Sequence, residues 1–326
     1  MVTLSDPFTL AGEAHFPASS MNTSITSAES ASLQARKVWC RIGLVLLAFV
    51  SLAPRLAAQE KSFLWKVQSK HGAIYVLGSI HYLKRENYPL RKSIQDAFEN
   101  CRTLVFEIDL SSAPPERAQQ LMLEKARYRD GTLLEQHITS QTYQLAERRA
   151  QELGIDISQM SPFKPWFVAL SLLSLKLQKM GFDPNYGLDR FLADQAKGGD
   201  KIIRGLESLE FQFGLLDQLS SSEQDSMLRQ TLDELDLLDK SLDQLVESWL
   251  TGNARAVEDL LLASMKEYPA VYRKVVIDRN RRWLPDLIKM LEQGEKALVV
   301  VGAAHLVGQD GLIELLKQRG YTVEQL

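Results

Sequence analysis

Ala297-Leu298-Val299-Val300-Val301-Gly302-Ala303-Ala304-His305 is the stretch whose reading decides the fold. A short apolar run ends in glycine, and a histidine stands three residues on. The pattern occurs earlier as Ile74-Tyr75-Val76-Leu77-Gly78-Ser79-Ile80-His81. Each reads as a buried strand feeding a Gly-x-x-His loop, followed by an amphipathic helix. Glycine lets the chain leave a buried strand sharply, without a Cβ to clash. A side chain on such a loop is presented at the carboxyl edge of the sheet, where open α/β sheets place their ligands.

Working outward, Ser62 to Gln68 and Ala73 to Leu77 read as a hairpin around the turn Ser69-Lys70-His71-Gly72. A helix is expected from Tyr88-Pro89-Leu90 to about Asn100, then a strand over Thr103 to Asp109 that carries Glu107 in its apolar middle. A buried carboxylate is costly unless a partner or a metal meets it. Residues from about 114 to 294 read as mostly helical. Thr139 or Ser140 caps one helix, and Pro165-Trp166 opens another to Met180. Leu188 to Lys197 is a short helix, Lys201 to Gly205 a returning strand, and Ser221 to Leu250 a long amphipathic helix. Ala254 to Met265 and Ala270 to Met290 follow, with Pro285 starting a fresh helix. Lys296 to Val301 is a strand, Asp310 caps a helix over Gly311 to Arg319, and Tyr321 to Glu324 is the last strand. Strand, Gly-x-x-His, helix and strand thus recur at 74–108 and 297–324. The expected fold is α/β (α+β), with a mixed central sheet built from both chain ends around a large helical insertion.

The chain has 326 residues, of which 45% are hydrophobic and 24% charged. With 38 Lys plus Arg against 41 Asp plus Glu, the net charge is −3, which argues against a duplex nucleic-acid binder. Arg36, Lys37 and Arg41 precede an apolar core over residues 42–53, with a small-residue site at Ala57-Ala58. That is a signal-peptide pattern, and its core falls short of the about 20 apolar residues of a spanning helix. The expectation is a leader over 1–58 and a single domain over 59–326, periplasmic or extracellular, without a stable membrane span. An uncleaved anchor is the alternative, and Met21 is a candidate start. Cys40 lies in the leader, so Cys101 alone cannot form an internal disulfide and stability must come from the core.

Past the leader the histidines are His71, His81, His137 and His305. His71 in a turn and His137 at a polar helix end read as structural. No His-Glu-x-x-His, Gly-x-Ser-x-Gly or Gly-rich phosphate loop is present. His81 and His305 with Glu107 would make a two-histidine, one-carboxylate site with open positions for water.

The segments Leu77-Gly78-Ser79-Ile80-His81, Val105-Phe106-Glu107-Ile108-Asp109 and Val301-Gly302-Ala303-Ala304-His305-Leu306 resemble the TraB/GumN family. That family is related to the Tiki metalloproteases and, more distantly, to the erythromycin-esterase-like hydrolases. Supporting matches are Pro165-Trp166, Tyr186-Gly187-Leu188-Asp189-Arg190, Gly205-Leu206-Glu207 and Asp278-Arg279-Asn280-Arg281-Arg282-Trp283. The resemblance spans residues 62–326. It implies a centre of His81, His305 and Glu107 holding a divalent metal (manganese, cobalt or zinc) for peptide cleavage. Arg279 corresponds to the family's basic residue, suited to an oxyanion or a substrate carboxylate. Glu207 is either a second acidic site residue or a strand-end charge, and Asn280 is expected to be structural. The implied function is metal-dependent hydrolysis of peptides or protein termini. The alternative is a protein of the same family that binds and sequesters peptides without cutting them.

Overall fold

A computed structural model of the chain describes residues 61–109 and 115–326, so the expected leader and signal peptide lie outside the described residues. Residues 59–326 cluster as one compact unit. Strands β1 (Leu64–Gln68) and β2 (Ala73–Ser79) form the expected hairpin, pairing antiparallel from Leu64 opposite Leu77 to Gln68 opposite Ala73. Helix α1 (Lys92–Asn100) leads to β3 (Thr103–Ile108). A helical block follows: α2 (Pro115–Ala126), α3 (Ser140–Glu152), α4 (Pro165–Lys179) and α5 (Leu188–Ala196). After β4 (Ile202–Glu207) come α6 (Leu209–Asp217), α7 (Ser221–Leu250), α8 (Ala254–Glu267), α9 (Pro269–Tyr272) and α10 (Asp278–Glu292). A π-helical turn over Arg273–Ile277 joins the last two. The chain then makes β5 (Ala297–Gly302), α11 (Leu312–Gln318) and β6 (Thr322–Gln325).

The described strands form one mixed sheet in the order β4-β3-β5-β2-β1-β6. β5 lies between β3 and β2 and is parallel to both, with Ser79 level with Gly302 and Phe106 level with Val300. A parallel strand covered on both faces has no solvent side to keep polar, which is why its sequence is an unbroken apolar run. Ala297 to Val301 are all 0% exposed. Because β2 and β5 are parallel neighbours, their two Gly-x-x-His turns leave the sheet at the same edge. The repeat stops there: β3 is parallel to β5, whereas β6 runs antiparallel to β1 at the far edge.

Two apolar cores result. One is built on the sheet and takes in Trp249 of α7 and Trp283, Leu287 and Leu291 of α10. The other, inside the helical block, packs Leu134, Ala146, Val168, Leu172, Leu228 and Leu232. α7 starts on a Ser220/Glu223 capping box, and near its far end the Trp249 indole N–H donates to Gly78 O at 2.7 Å. Among the described residues no helix is long and apolar enough to cross a membrane.

Three local expectations are corrected. The first helix begins at Lys92 rather than Tyr88, because Arg91 before it is still extended, with ψ 146°. Gly311, not Asp310, is the residue before α11, and the Asp310 carbonyl instead accepts from Asn280 Nδ2 at 2.8 Å. Pro285 lies inside α10 rather than opening a helix. The hydrogen bond it forfeits is to Arg281, and both residues are on the exposed face, where water substitutes.

One glycine is dictated by a close approach. A Cβ on Gly187 would lie 2.2 Å from the carbonyl oxygen of His81, because α5 starts directly against that turn, with Leu188 N donating to Ile80 O at 3.0 Å. Gly187→Ala is therefore expected to push α5 off the His81 turn at a cost of about 1–3 kcal/mol, the usual range for overpacking. Thermal or urea unfolding checks this, and an unchanged midpoint would remove the argument for contact there.

Candidate functional site

β2 delivers His81 just beyond its end, and α5 supplies its partner. Asp189, in the first turn of α5, reaches back with Oδ2 2.8 Å from His81 Nδ1 and Oδ1 accepting from Ser79 Oγ at 2.8 Å. The Asp189 carboxylate thus accepts from Nδ1–H and leaves Nε2 towards the pocket that His81 shares with Glu107. It raises the His81 pKa from 6.5 to about 9; burial pulls the other way, and Glu107 adds to the rise. With 61% of the ring open to water, screening softens that pull.

β5 delivers His305, which is 5% exposed. Its Nδ1 lies 2.7 Å from Asn280 Oδ1, its ring packs on Trp283 at 4.5 Å, and its Nε2 is 3.1 Å from Arg279 Nη1. Arginine only donates, so this network assigns the imidazole proton to Nδ1 and the lone pair to Nε2. Burial drives the His305 pKa down from 6.5 to about 3, Glu107 opposes, and Arg279 and His81 add to the fall. The ring is neutral at ordinary pH.

Glu107, near the end of β3, sits between them. Its Oε1 accepts from Gly302 N at 2.7 Å; its Oε2 accepts from Arg279 Nη2 at 2.5 Å and from Gln212 Nε2 at 3.3 Å. Burial alone would push this carboxyl up, but nearby His305, Arg279 and His81 and the Gly302 N–H outweigh it and bring the pKa from 4.5 to about 2. Since His305 is neutral, Arg279, His81 and the Gly302 amide are the partners that hold the charge near neutrality. The missing side chain of Gly302 makes the convergence possible. A Cβ there would stand 3.2 Å from Glu107 Oε1, 3.6 Å from His305 Cδ2 and 3.6 Å from His81 Nε2.

Arg279 ties the cluster together from α10. Nε donates to Glu207, Nη1 to Val275 O and His305 Nε2, and Nη2 to Glu107 and Glu207. Its guanidinium lies over the Trp283 ring at 4.6 Å. A guanidinium has five N–H donors, and all five are engaged. The role foreseen for Arg279 on an oxyanion or substrate carboxylate thus has no free N–H to serve it in this arrangement. Glu207, left open between two readings, is the last residue of β4 and pairs with Arg279, its side chain 0% exposed.

An open pocket of about 290 Å³ adjoins these groups, lined by His81, Glu107, Asp189 and Gln212 with Phe106 and Ala193 among its apolar walls. All five foreseen residues gather here, while His71 and His137 lie elsewhere, His71 Nε2 3.5 Å from Glu292 and His137 stacked on Tyr128. Sequence reasoning missed Asp189 and Gln212 and underrated Asn280. Asp189 had a signal in Tyr186-Gly187-Leu188-Asp189: a carboxylate one helical step past a turn-forming glycine. Gln212 had none. As packed, the three expected donors do not make a three-ligand metal site. His305 Nε2 and Glu107 Oε1 are 3.9 Å apart, but the former's lone pair is taken by Arg279. Among the described residues no group of three or more His, Cys, Asp or Glu is arranged to hold a metal ion.

The cluster sets a pH dependence. Unfolded Glu107 protonates below 4.5 and the folded residue only near 2, so its stabilisation is lost as pH falls through that window. Unfolded His305 takes a proton below 6.5 and the folded ring resists to about 3, which also costs stability on acidification. His81 has the opposite sign: its contribution is full below 6.5 and lost as pH rises towards 9. Stability measured by urea unfolding should peak near pH 6.5, and His305→Gln should flatten the slope between 6.5 and 4.5. Arg279→Met, which strands two buried carboxylates, should cost about 3–5 kcal/mol at neutral pH, the deficit shrinking in acid.

Residues 63–325 match the TraB/PrgY/gumN family. The chain is 27% identical over 243 residues to "Uncharacterized protein YbaP" of Escherichia coli (strain K12), covering 74% of this chain and 87% of that one. It is 26% identical over 164 residues to a "Metalloprotease TIKI homolog" of Amphimedon queenslandica, covering 43% of this chain and 32% of the other. A protein of the same printed name from Nematostella vectensis is 22% identical over 321 residues, covering 81% and 66%. No solved structure matches the chain.

Proposed function

Because this chain belongs to the TraB/PrgY/gumN family, we propose that it is a hydrolase cleaving peptide or similar acyl bonds at the His81–Glu107 pocket. The observation that carries the reading is the convergence of His81 Nε2 and Glu107 Oε1 on one point beside an open cavity. The likeness to proteins named metalloproteases supports a peptide or protein as substrate. The basic-then-apolar run over residues 36–53 supports an exported protein that meets its substrate outside the cytoplasm.

His81 is the residue that moves a proton. Its Nδ1 is tied to Asp189, so in its neutral form Nε2 carries a lone pair that can take a proton from a water attacking the acyl carbon. The resulting imidazolium, steadied by Asp189 and Glu107, returns that proton to the leaving nitrogen. Glu107 keeps its negative charge, orients the water and lowers the energy of the imidazolium. Gln212 Nε2, beside Glu107 on the pocket wall, is the donor placed to meet developing charge on the acyl oxygen. Arg279 acts from behind, holding Glu107 in place. Whether a divalent metal takes part, as in the relatives named metalloproteases, is read by the assay.

The test is hydrolysis of a peptide library, with manganese, cobalt or zinc added and with a chelator. His81→Ala and Glu107→Gln should each lower turnover by about 10²–10⁴-fold, the range for loss of a positioned acid–base group. Since the base is neutral His81, kcat/KM should climb with pH through the range between 6.5 and about 9. Asp189→Asn removes the largest cause of the raised pKa, so it should move that limb to lower pH while reducing the plateau. Peptide binding with no turnover under any metal would overturn the hydrolase reading in favour of sequestration.

A further inference from the structure

A neutral imidazole has a single lone pair, which can accept one hydrogen bond or bind one metal ion. In His305 that pair is committed. Asn280 Nδ2 donates to the carbonyls of His305, at 3.1 Å, and of Asp310, at 2.8 Å, which fixes Asn280 Oδ1 as an acceptor. Oδ1 therefore takes the Nδ1 proton of His305, at 2.7 Å. The lone pair is left on Nε2, with Arg279 Nη1 3.1 Å away. A zinc ion would need to stand about 2.0–2.1 Å from the same nitrogen, along the same axis. Displacing the guanidinium is costly. It is bonded to Glu107 and Glu207, lies over Trp283, and its side chain is 9% exposed.

We infer that Arg279 is the resident cation of this site: His305, fixed by Asn280, is an acceptor that aims Arg279 at Glu107 and is not a metal ligand. Any divalent ion entering the pocket then meets His81 and Glu107 alone. This makes His305 a positioning residue, and it departs from the three-ligand centre that the family resemblance implies. The inference refines the hydrolase reading by naming the cation behind the reacting groups, but its test needs no substrate.

Wild type, His305→Gln and His81→Ala, each confirmed folded by near-UV circular dichroism, are dialysed to equilibrium against zinc and against manganese, and bound metal is counted by mass spectrometry. In parallel, imidazole ¹⁵N resonances of the wild type are followed during a zinc titration, so the answer does not depend on a variant folding. The expected result is a metal affinity for His305→Gln within about a hundredfold of wild type, the range for loss of a residue that positions a ligand. Zinc should leave the His305 Nε2 resonance unmoved and, where zinc binds, shift that of His81. No uptake by any of the three proteins would agree equally well. A loss beyond about a hundredfold in folded His305→Gln, or a zinc-dependent shift at His305 Nε2, would overturn the inference while leaving peptide cleavage untouched. Failure to cleave peptides would leave the metal result standing.

Discussion

The guanidinium of Arg279 is the constraint from which the rest follows. Its donors reach the carboxylates of β3 and β4, the turn after β5 and a carbonyl of the π-helical turn that precedes its own helix. No apolar side chain could join those four places, because two of them carry buried negative charge. A buried ion cluster of this kind adds little net stability over a well-packed apolar one, but it is intolerant of losing a member. It gives the site one geometry instead of several.

The parallel middle of the sheet supplies the other half of that order. Side by side and pointing the same way, β2 and β5 bring two turns from opposite ends of the chain to one edge, and β3 brings Glu107 to the same level. The helical block closes the arrangement from outside. α5 braces His81 through Asp189, and α6 sets Gln212 against Glu107. The two histidines therefore live in contrasting surroundings. One is wet and paired with a carboxylate, so it can hold and release a proton. The other is dry and beside a cation, so it cannot. Two Gly-x-x-His segments of like pattern end in different chemistry because of what packs on them.

Much of this was legible in the sequence, for physical reasons. The apolar run ending at Gly302 reads as a buried strand, and a glutamate within Val105-Phe106-Glu107-Ile108 calls for a partner or a metal. The paired turns in the sequence already point to His81 and His305 lying together. The five expected residues do meet. Less legible was which partner each one takes. Hydrogen-bond direction depends on contacts between segments remote in sequence, so the reservation of His305 Nε2 for Arg279 left no local trace. The same holds for Asn280, whose two carbonyl partners flank the turn after β5. Pro285 misled because a proline usually marks a boundary, and only its exposed setting shows why a helix tolerates it.

The place of β5 in the sheet also bears on how the chain comes to be folded. β5 is wedged between β2 and β3, yet it is made after the entire helical block. Until it emerges during synthesis, the β1–β2 hairpin and the β3–β4 pair have nothing to join them, and each leaves an apolar edge without a neighbour. A growing chain of this kind cannot close its sheet early, and pairing of such distant segments is slow. That delay leaves the last strands to act as the latch.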